Sequence, residues 1–244
     1  EIEEENYGNP AMKVGSAVGA VADMFNKGTL DRDDTEGIER AALEALDAEL
    51  DDGDLWVPPG DEFDIVDLRE KVKNGAFEFA RSCKFDRVIE SETPIVALNH
   101  KEKIDFPGTP DYVVEFHDPN EGVIRAIGDL KVGFKKKSWS QDKANREPQL
   151  SNYGILHNSK FGRFPDVYFI DHIWFLKGNA TKHERFFTTR TKKDLAAAWN
   201  VILVGRTGIK NKVWTPASKY DFLCGPKTCR FFNDCKFVAS SSAA

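Results

Sequence analysis

The sequence has few sulfur-containing residues and no long apolar run. Its 244 residues include four cysteines and two methionines. No run approaches the roughly 18 apolar residues that a membrane-spanning helix needs, and the opening Glu-Ile-Glu-Glu-Glu is the opposite of a basic signal peptide. These absences predict a protein without membrane segments, located in the cytoplasm of a prokaryote, or of the host cell if the chain is viral.

The chain also lacks a linker rich in proline, serine or glycine that would divide it into two hydrophobic halves. We therefore predict one domain over residues 1–244. Shifts in composition mark three parts of this domain: an acidic helical region at about 1–82, an α/β core at about 83–210 and a cysteine-containing segment at about 211–244.

Charge is distributed unevenly along the chain. The net charge of -6 combines 21 acidic and 5 basic residues in 1–70 with 19 acidic and 29 basic residues in 71–244. A polyanionic partner would be attracted to the second part and repelled by most of the first. An acidic leader that only keeps the protein soluble would explain the same asymmetry.

The apolar pattern changes from helical to strand-like near residue 87. Apolar residues at three- and four-residue spacing predict helices, whereas β-branched and aromatic runs between turns predict strands. The helices are expected at 11–26, 37–50, 64–81, 141–156 and 192–205, and the strands at 87–98, 112–117, 123–132 and 167–176. This order predicts an α/β protein with a central mixed sheet flanked by helices.

Two carboxylates and an amine are expected to converge on one spot. Asp111 begins one strand, and Asp129 and Lys131 end the next strand of the same hairpin. Because side chains alternate along a strand, Asp129 and Lys131 share a face and Leu130 points to the other. Carboxylate oxygens are the ligands that Mg²⁺ or Mn²⁺ prefers, so the set suits metal-assisted hydrolysis of a phosphodiester.

The arrangement resembles the PD-(D/E)XK nuclease superfamily. Pro110-Asp111 matches its first signature and Asp129-Leu130-Lys131 its second, while Gln149-Leu-Ser-Asn-Tyr153 matches the Gln-x-x-x-Tyr signature of the RecB-like exonuclease branch. The resemblance covers roughly residues 10–237. It implies a restriction-endonuclease-like fold, and it implies that Asp111, Asp129 and the backbone carbonyl of Leu130 bind the metal while Gln149 and Tyr153 contact the substrate strand.

The same resemblance implies a biological setting. The expected activity is a metal-dependent DNA exonuclease in recombination or repair, similar to CRISPR-associated and phage enzymes, acting on linear single- or double-stranded DNA. A recombination or single-strand-binding protein is the expected partner. An endonuclease, an RNA-directed enzyme, a zinc-ribbon binding module and a DNA-binding adaptor with a decayed site are the alternatives.

One position departs from the family pattern. RecB-like exonucleases usually carry a metal-binding His in a Gly-x-x-x-His context on an N-terminal helix, and Gly15-Ser-Ala-Val-Gly19 resembles that context with Gly19 in place of the His. None of the five histidines stands at an obvious substitute position, and none is assigned to the metal. This departure motivates the decayed-adaptor alternative.

The cysteines form a second candidate site. Cys224, Cys229 and Cys235 lie within twelve residues, and Cys83 is the remaining cysteine of the chain. Four thiolates suit Zn²⁺ or an iron–sulfur cluster, and related RecB-like nucleases resemble this pattern with a [4Fe–4S] cluster. Reduced cysteines that bind nothing are the alternative.

A run of basic residues follows the predicted strand that carries Asp129 and Lys131. Lys135, Lys136 and Lys137 are followed by Trp139. Basic residues beside an aromatic could follow a phosphate backbone while the ring stacks on an unpaired base. A solvated loop is the alternative interpretation.

Overall fold

Three N-terminal helices pack together and share one hydrophobic cluster. The computed structural model describes residues 9–52, 57, 64–99, 104–134 and 137–213. The helices are α1 (Pro10–Asn26), α2 (Thr35–Asp51) and α3 (Ile65–Ser82), and each is capped by a side chain that accepts a backbone N–H. Their apolar faces are fully buried against each other and against one side of a sheet.

The sheet has five strands in a mixed arrangement. In chain order the strands of the described residues are β1 (Arg87–Ser91), β2 (Ile95–Asn99), β3 (Ile104–Gly108), β4 (Tyr112–Asp118), β5 (Gly122–Gly133), β6 (Val167–Phe175) and β7 (Thr181–Thr188). The main sheet has the order β1-β4-β5-β6-β7, and β2 and β3 form a separate hairpin. The β5–β6 pair is parallel, whereas β1–β4, β4–β5 and β6–β7 are antiparallel.

A second group of helices covers the opposite side of the sheet. These are α4 (Gln141–Arg146), which packs against β7, and α5 (Pro148–Phe161), which packs against β5 and the β2–β3 hairpin; α6 (Lys192–Lys210) packs in turn against α5. A second hydrophobic cluster, which includes Ile127, Leu150 and Ile170, fills this interface. The predicted central mixed sheet flanked by helices is therefore confirmed.

Two elements that were predicted to be continuous are each divided in the structure. The expected strand 87–98 is split into β1 and β2, because Glu92 adopts a positive φ of 46° and Pro94 follows. The expected helix 141–156 is split into α4 and α5 at Glu147, which has extended backbone before Pro148. The break places Pro148 in the first turn of α5, where its missing N–H costs nothing.

No helix among the described residues is long and apolar enough to cross a membrane.

Candidate active site

Strand β5 presents Asp129 and Lys131 on one face of the sheet. Both side chains point towards α5, while Leu130 packs against the cluster formed with α1–α3. Gly128 precedes them at a close approach: a Cβ there would lie 2.3 Å from the Phe169 ring and 2.4 Å from the Tyr112 ring. Glycine is therefore required at this position to let the rings pack below the site.

Four of the five predicted catalytic side chains form a closed ring of contacts. Lys131 Nζ donates to Gln149 Oε1 at 2.8 Å, and Gln149 Nε2 donates to the Tyr153 hydroxyl at 2.6 Å. The Tyr153 hydroxyl donates to Asp129 Oδ1 at 3.3 Å, and Asp129 Oδ2 lies 2.7 Å from Lys131 Nζ. The four-residue spacing on α5 puts Gln149 and Tyr153 on one helical face.

Asp111 joins the site through the backbone of β5. It precedes β4, and its Oδ2 accepts the N–H of Leu130 at 2.5 Å. The antiparallel register of β4 and β5 pairs Tyr112 with Gly128. Asp111, one residue before Tyr112, therefore lies beside Asp129 of the neighbouring strand. The structure thus brings all five predicted residues together, although they are spread over more than forty positions of the chain.

The two carboxylates are held in an environment that penalises their negative charge. Burial raises the pKa of Asp111 well above its usual range, and the charge of Asp129 raises it further. Burial also raises the pKa of Asp129, against the lowering effect of Lys131, and this residue is 1% exposed. Burial and the same two carboxylates raise the pKa of the Tyr153 hydroxyl, which keeps it protonated as a donor. A divalent cation would relieve this excess of buried negative charge.

A small cavity on the α1 side of the sheet borders Asp111. It has room for about one water molecule (about 10 Å³) and is lined by Gly19, Ala22, Asp23, Asn26, Glu92, Asp111, Tyr112 and Leu130. Gly19 therefore faces the site from α1, and a Cβ added there would meet nothing within 4 Å. The position identified by the family pattern can therefore carry a Cβ without a close contact.

Glu92 is a candidate residue that sequence reasoning missed. Its N–H donates to the Asp111 carbonyl at 3.0 Å, and it lines the cavity. Partial burial, followed by the charges of Asp23 and Asp129, raises its pKa to about 7. The sequence signal for Glu92 was an acidic residue directly before Thr93-Pro94. A proline there ends the strand, and the turn directs the adjacent side chain towards the neighbouring strand.

Cys83 lies on the opposite face of the sheet from Asp129 and Lys131. It is fully buried at the end of α3, and its Sγ, a carboxylate oxygen of Asp171 and a ring nitrogen of His183 lie within 4.8 Å of one another. These three residues are the group of potential metal ligands found among the described residues. Burial raises the pKa of the Cys83 thiol well above its usual range, and the charge of Asp171 adds to this effect.

The carboxylate of Asp171 is already satisfied without a metal. Arg185 donates to both of its oxygens at 2.7 and 2.8 Å, while His183 lies at 2.7 Å and the Tyr112 hydroxyl at 3.1 Å. A neutral thiol and a carboxylate already paired with an arginine fit a structural network better than a cation site. Cys224, Cys229 and Cys235 lie outside the described residues, so an iron–sulfur or zinc site with Cys83 stays a prediction.

The predicted DNA-binding run is partly described. Lys135 and Lys136 lie outside the described residues, and Lys137 is exposed. Trp139 is 8% exposed within the cluster under α5, and the Lys143 ammonium lies 4.2 Å from its ring centroid. An indole buried in this way offers little surface to a nucleic-acid base.

Comparisons with known proteins add little to this geometry. No protein-family profile matches the sequence, and no similar curated protein was found. Among solved structures, the chain is similar to a crystal structure of a "Putative exonuclease" from Eubacterium rectale, with a TM-score of 0.47 and 14% identity over 90% of this chain and 75% of that chain.

Proposed function

We propose that the protein is a metal-dependent deoxyribonuclease of the PD-(D/E)XK type, in the RecB-like exonuclease branch. The observation that supports it is the ring joining Lys131, Gln149, Tyr153 and Asp129. Sequence order, spacing and the family signature predict these residues, and they lie on separate elements of the fold within hydrogen-bonding distance of one another. A surface pair on an ordinary helix would not be expected to close onto a buried carboxylate.

In this proposal Asp111, Asp129 and the carbonyl of Leu130 hold Mg²⁺ or Mn²⁺. The donor set fits a hard cation because it consists of oxygens, and the two carboxylates are buried with too little positive charge around them. When bound, such an ion polarises the phosphoryl group and lowers the pKa of a bound water. Gly19, Asp23 and Glu92 line the cavity beside Asp111, where Asp23 and Glu92 add two further carboxylates.

The remaining side chains position the groups that take part in the reaction. Lys131 Nζ lies between Asp129 and Gln149, so it can hold the attacking water and offset charge on the phosphate. Gln149 fixes this ammonium group, and Tyr153 fixes the carboxylate of Asp129. Gln149 and Tyr153 lie on the face of α5 that is turned towards Lys131 and Asp129, so in this proposal they support those two residues from the helix.

The test of the proposal is cleavage of DNA by the purified protein with Mg²⁺ or Mn²⁺. Linear DNA should be degraded progressively from an end, while covalently closed circles are spared. Cleavage should stop with a chelator, because the metal generates the nucleophile at neutral pH. Rapid cutting of closed circles would instead assign an endonuclease with the same site. No cleavage of DNA or RNA with either metal would favour the DNA-binding adaptor.

Gly19→His should raise metal affinity and cleavage. The substitution adds a nitrogen ligand from α1 to the cavity beside Asp111, and nothing within 4 Å of the added Cβ opposes it. The measurement is the Mg²⁺ and Mn²⁺ concentration for half-maximal activity.

Gly19→Ala is the matched control for this substitution. Both variants gain helix propensity, about 1 kcal/mol for Gly to Ala, but only His can bind a metal. Equal metal titrations for the two variants would mean that position 19 does not reach the ion.

A further inference from the structure

A second group of side chains continues the active-site face beyond Lys131. In the parallel register of β5 and β6, His172 pairs with Lys131 and therefore lies on the same face, one strand spacing away, about 4.8 Å. Trp174 is two residues further along β6 and shares this face. The next strand, β7, places Glu184 opposite His172. The face thus extends across three adjacent strands.

The base of this extension is a buried ring pair. His172 and Trp174 stack with centroids 5.1 Å apart and planes 15° apart, and they are 0% and 8% exposed. His172 Nε2 lies 3.3 Å from Ser138 Oγ, while its buried Nδ1 has no partner among the residues that the structure describes. Burial, with the charges of Lys143 and Lys137, lowers the His172 pKa to about 4. The ring pair is therefore a neutral, packed floor.

Two ammonium groups lie above aromatic rings at this surface. Lys137 Nζ is 5.8 Å from the Trp174 centroid and 5.2 Å from that of Phe186. Lys143 Nζ is 4.2 Å from the Trp139 centroid, and it also donates to the Ser138 carbonyl at 3.4 Å. Cation–π contacts restrict both flexible side chains. Because the two side chains are already ordered, binding an anion here would cost less side-chain conformational entropy than binding it to two freely rotating lysines.

Glu184 opposes the binding of an anion at this surface. Its carboxylate forms an ion pair with Lys137, and the two side chains are 42% and 43% exposed. An exposed pair of this kind contributes little to stability. It does, however, keep one of the two ammonium groups neutralised until an anion competes for it.

We propose that Lys137, Ser138 and Lys143, above the His172–Trp174 pair, form a phosphate-binding subsite for the DNA strand adjoining the metal site, and that Glu184 weakens this subsite by occupying Lys137. The proposal rests on the proposed nuclease function. It extends that function by giving the strand a path across β6 and β7. Trp139, which the sequence suggested as a stacking ring, instead supports Lys143 from below.

The test is the salt dependence of DNA binding by the full chain. A short fluorescein-labelled single-stranded oligodeoxynucleotide is titrated by anisotropy in chelator, so that no cleavage occurs, between about 50 and 200 mM salt. Loss of one phosphate contact lowers the slope of log K against log salt by about 0.7 for a single strand. Lys143→Ala should show this loss and weaker binding, whereas Lys143→Arg should retain the slope. Glu184→Gln should bind more tightly than the wild type, with a steeper slope, because it frees Lys137.

Matched controls come from similar exposed charges elsewhere. Lys193→Ala removes a lysine from α6, and Asp47→Asn breaks the exposed Asp47–Arg69 pair between α2 and α3. Neither substitution should change the slope. The subsite is refuted if Lys143→Ala and Glu184→Gln behave like these controls while the wild type binds and cleaves DNA. If the wild type neither binds nor cleaves, the proposed nuclease function fails together with the subsite.

Discussion

Asp129→Asn should reduce cleavage by at least about a hundredfold while DNA binding persists. Even residues that only support metal ligands change activity by about 10- to 100-fold, and Asp129 is assigned as a ligand itself. Affinity for DNA should persist because it comes mainly from phosphate contacts elsewhere. Single-turnover cleavage and anisotropy in chelator measure the two quantities separately.

The same substitution should not destabilise the protein. Because burial raises the pKa of Asp129, its charged form is disfavoured in the metal-free fold, and asparagine removes that charge. The side-chain oxygen of asparagine can still accept the hydrogen bond from Tyr153. Asp142→Asn is the control, since Asp142 is an exposed carboxylate paired with Arg146 on α4. Wild-type cleavage by Asp129→Asn would overturn the assigned site.

Asp171→Asn, in contrast to Asp129→Asn, should destabilise the protein, with a loss of about 3–5 kcal/mol in the free energy of unfolding. The carboxylate is fully buried, and its two oxygens accept hydrogen bonds from Nε and Nη2 of Arg185, so its removal leaves a largely buried cation without a counter-charge. Arg185 also contacts the rings of Phe85, Phe116, Phe169 and Phe187, which limits its movement towards water. Denaturant unfolding measures the change.

The pH dependence of this loss has a definite sign. Burial opposes ionisation of Asp171, but the hydrogen bonds from His183 and Arg185 hold its pKa below the usual value of 3.8. A lowered folded pKa means that the charge contributes stability above about pH 4, and that this contribution disappears as the pH falls through the folded pKa. The difference between wild type and Asp171→Asn should therefore shrink in acid.

Asp47→Asn provides the comparison for Asp171→Asn. Asp47 and Arg69 form an exposed pair at 3.1 Å, for which a change of about 0.2–1 kcal/mol is expected. Equal losses for the two variants would show that the Asp171 network carries no special stability.

The candidate site was largely predictable from the sequence, whereas parts of its surroundings were not. Asp111, Asp129 and Lys131 were found because strand alternation and hairpin pairing are local rules. Gln149 and Tyr153 were found from helical spacing and the family signature. The helix predicted around them was nevertheless wrong in being continuous, because the break at Glu147 depends on the position of Pro148 in the first turn of α5.

Long-range pairing limited the prediction in two places. Glu92 reaches the site only because β1 pairs with β4 and ends beside Asp111, and the sequence does not reveal that neighbour. The relation between Lys131 and His172 depends in the same way on the parallel β5–β6 pair, whose strands are more than thirty residues apart. Local periodicity identifies strands but does not reveal which strands lie side by side.

The parallel β5–β6 pair also affects the order in which the protein can assemble during synthesis. The five signature residues all occur before residue 154, yet β5 has β6 as its hydrogen-bonded neighbour on one side, and β6 begins at Val167. A nascent chain that ended before β6 would contain every proposed catalytic group but would leave that edge of β5 unpaired, an edge prone to aggregation. Because pairing across a long connection is slow, we expect the catalytic arrangement to form late, after β6 has emerged from the ribosome.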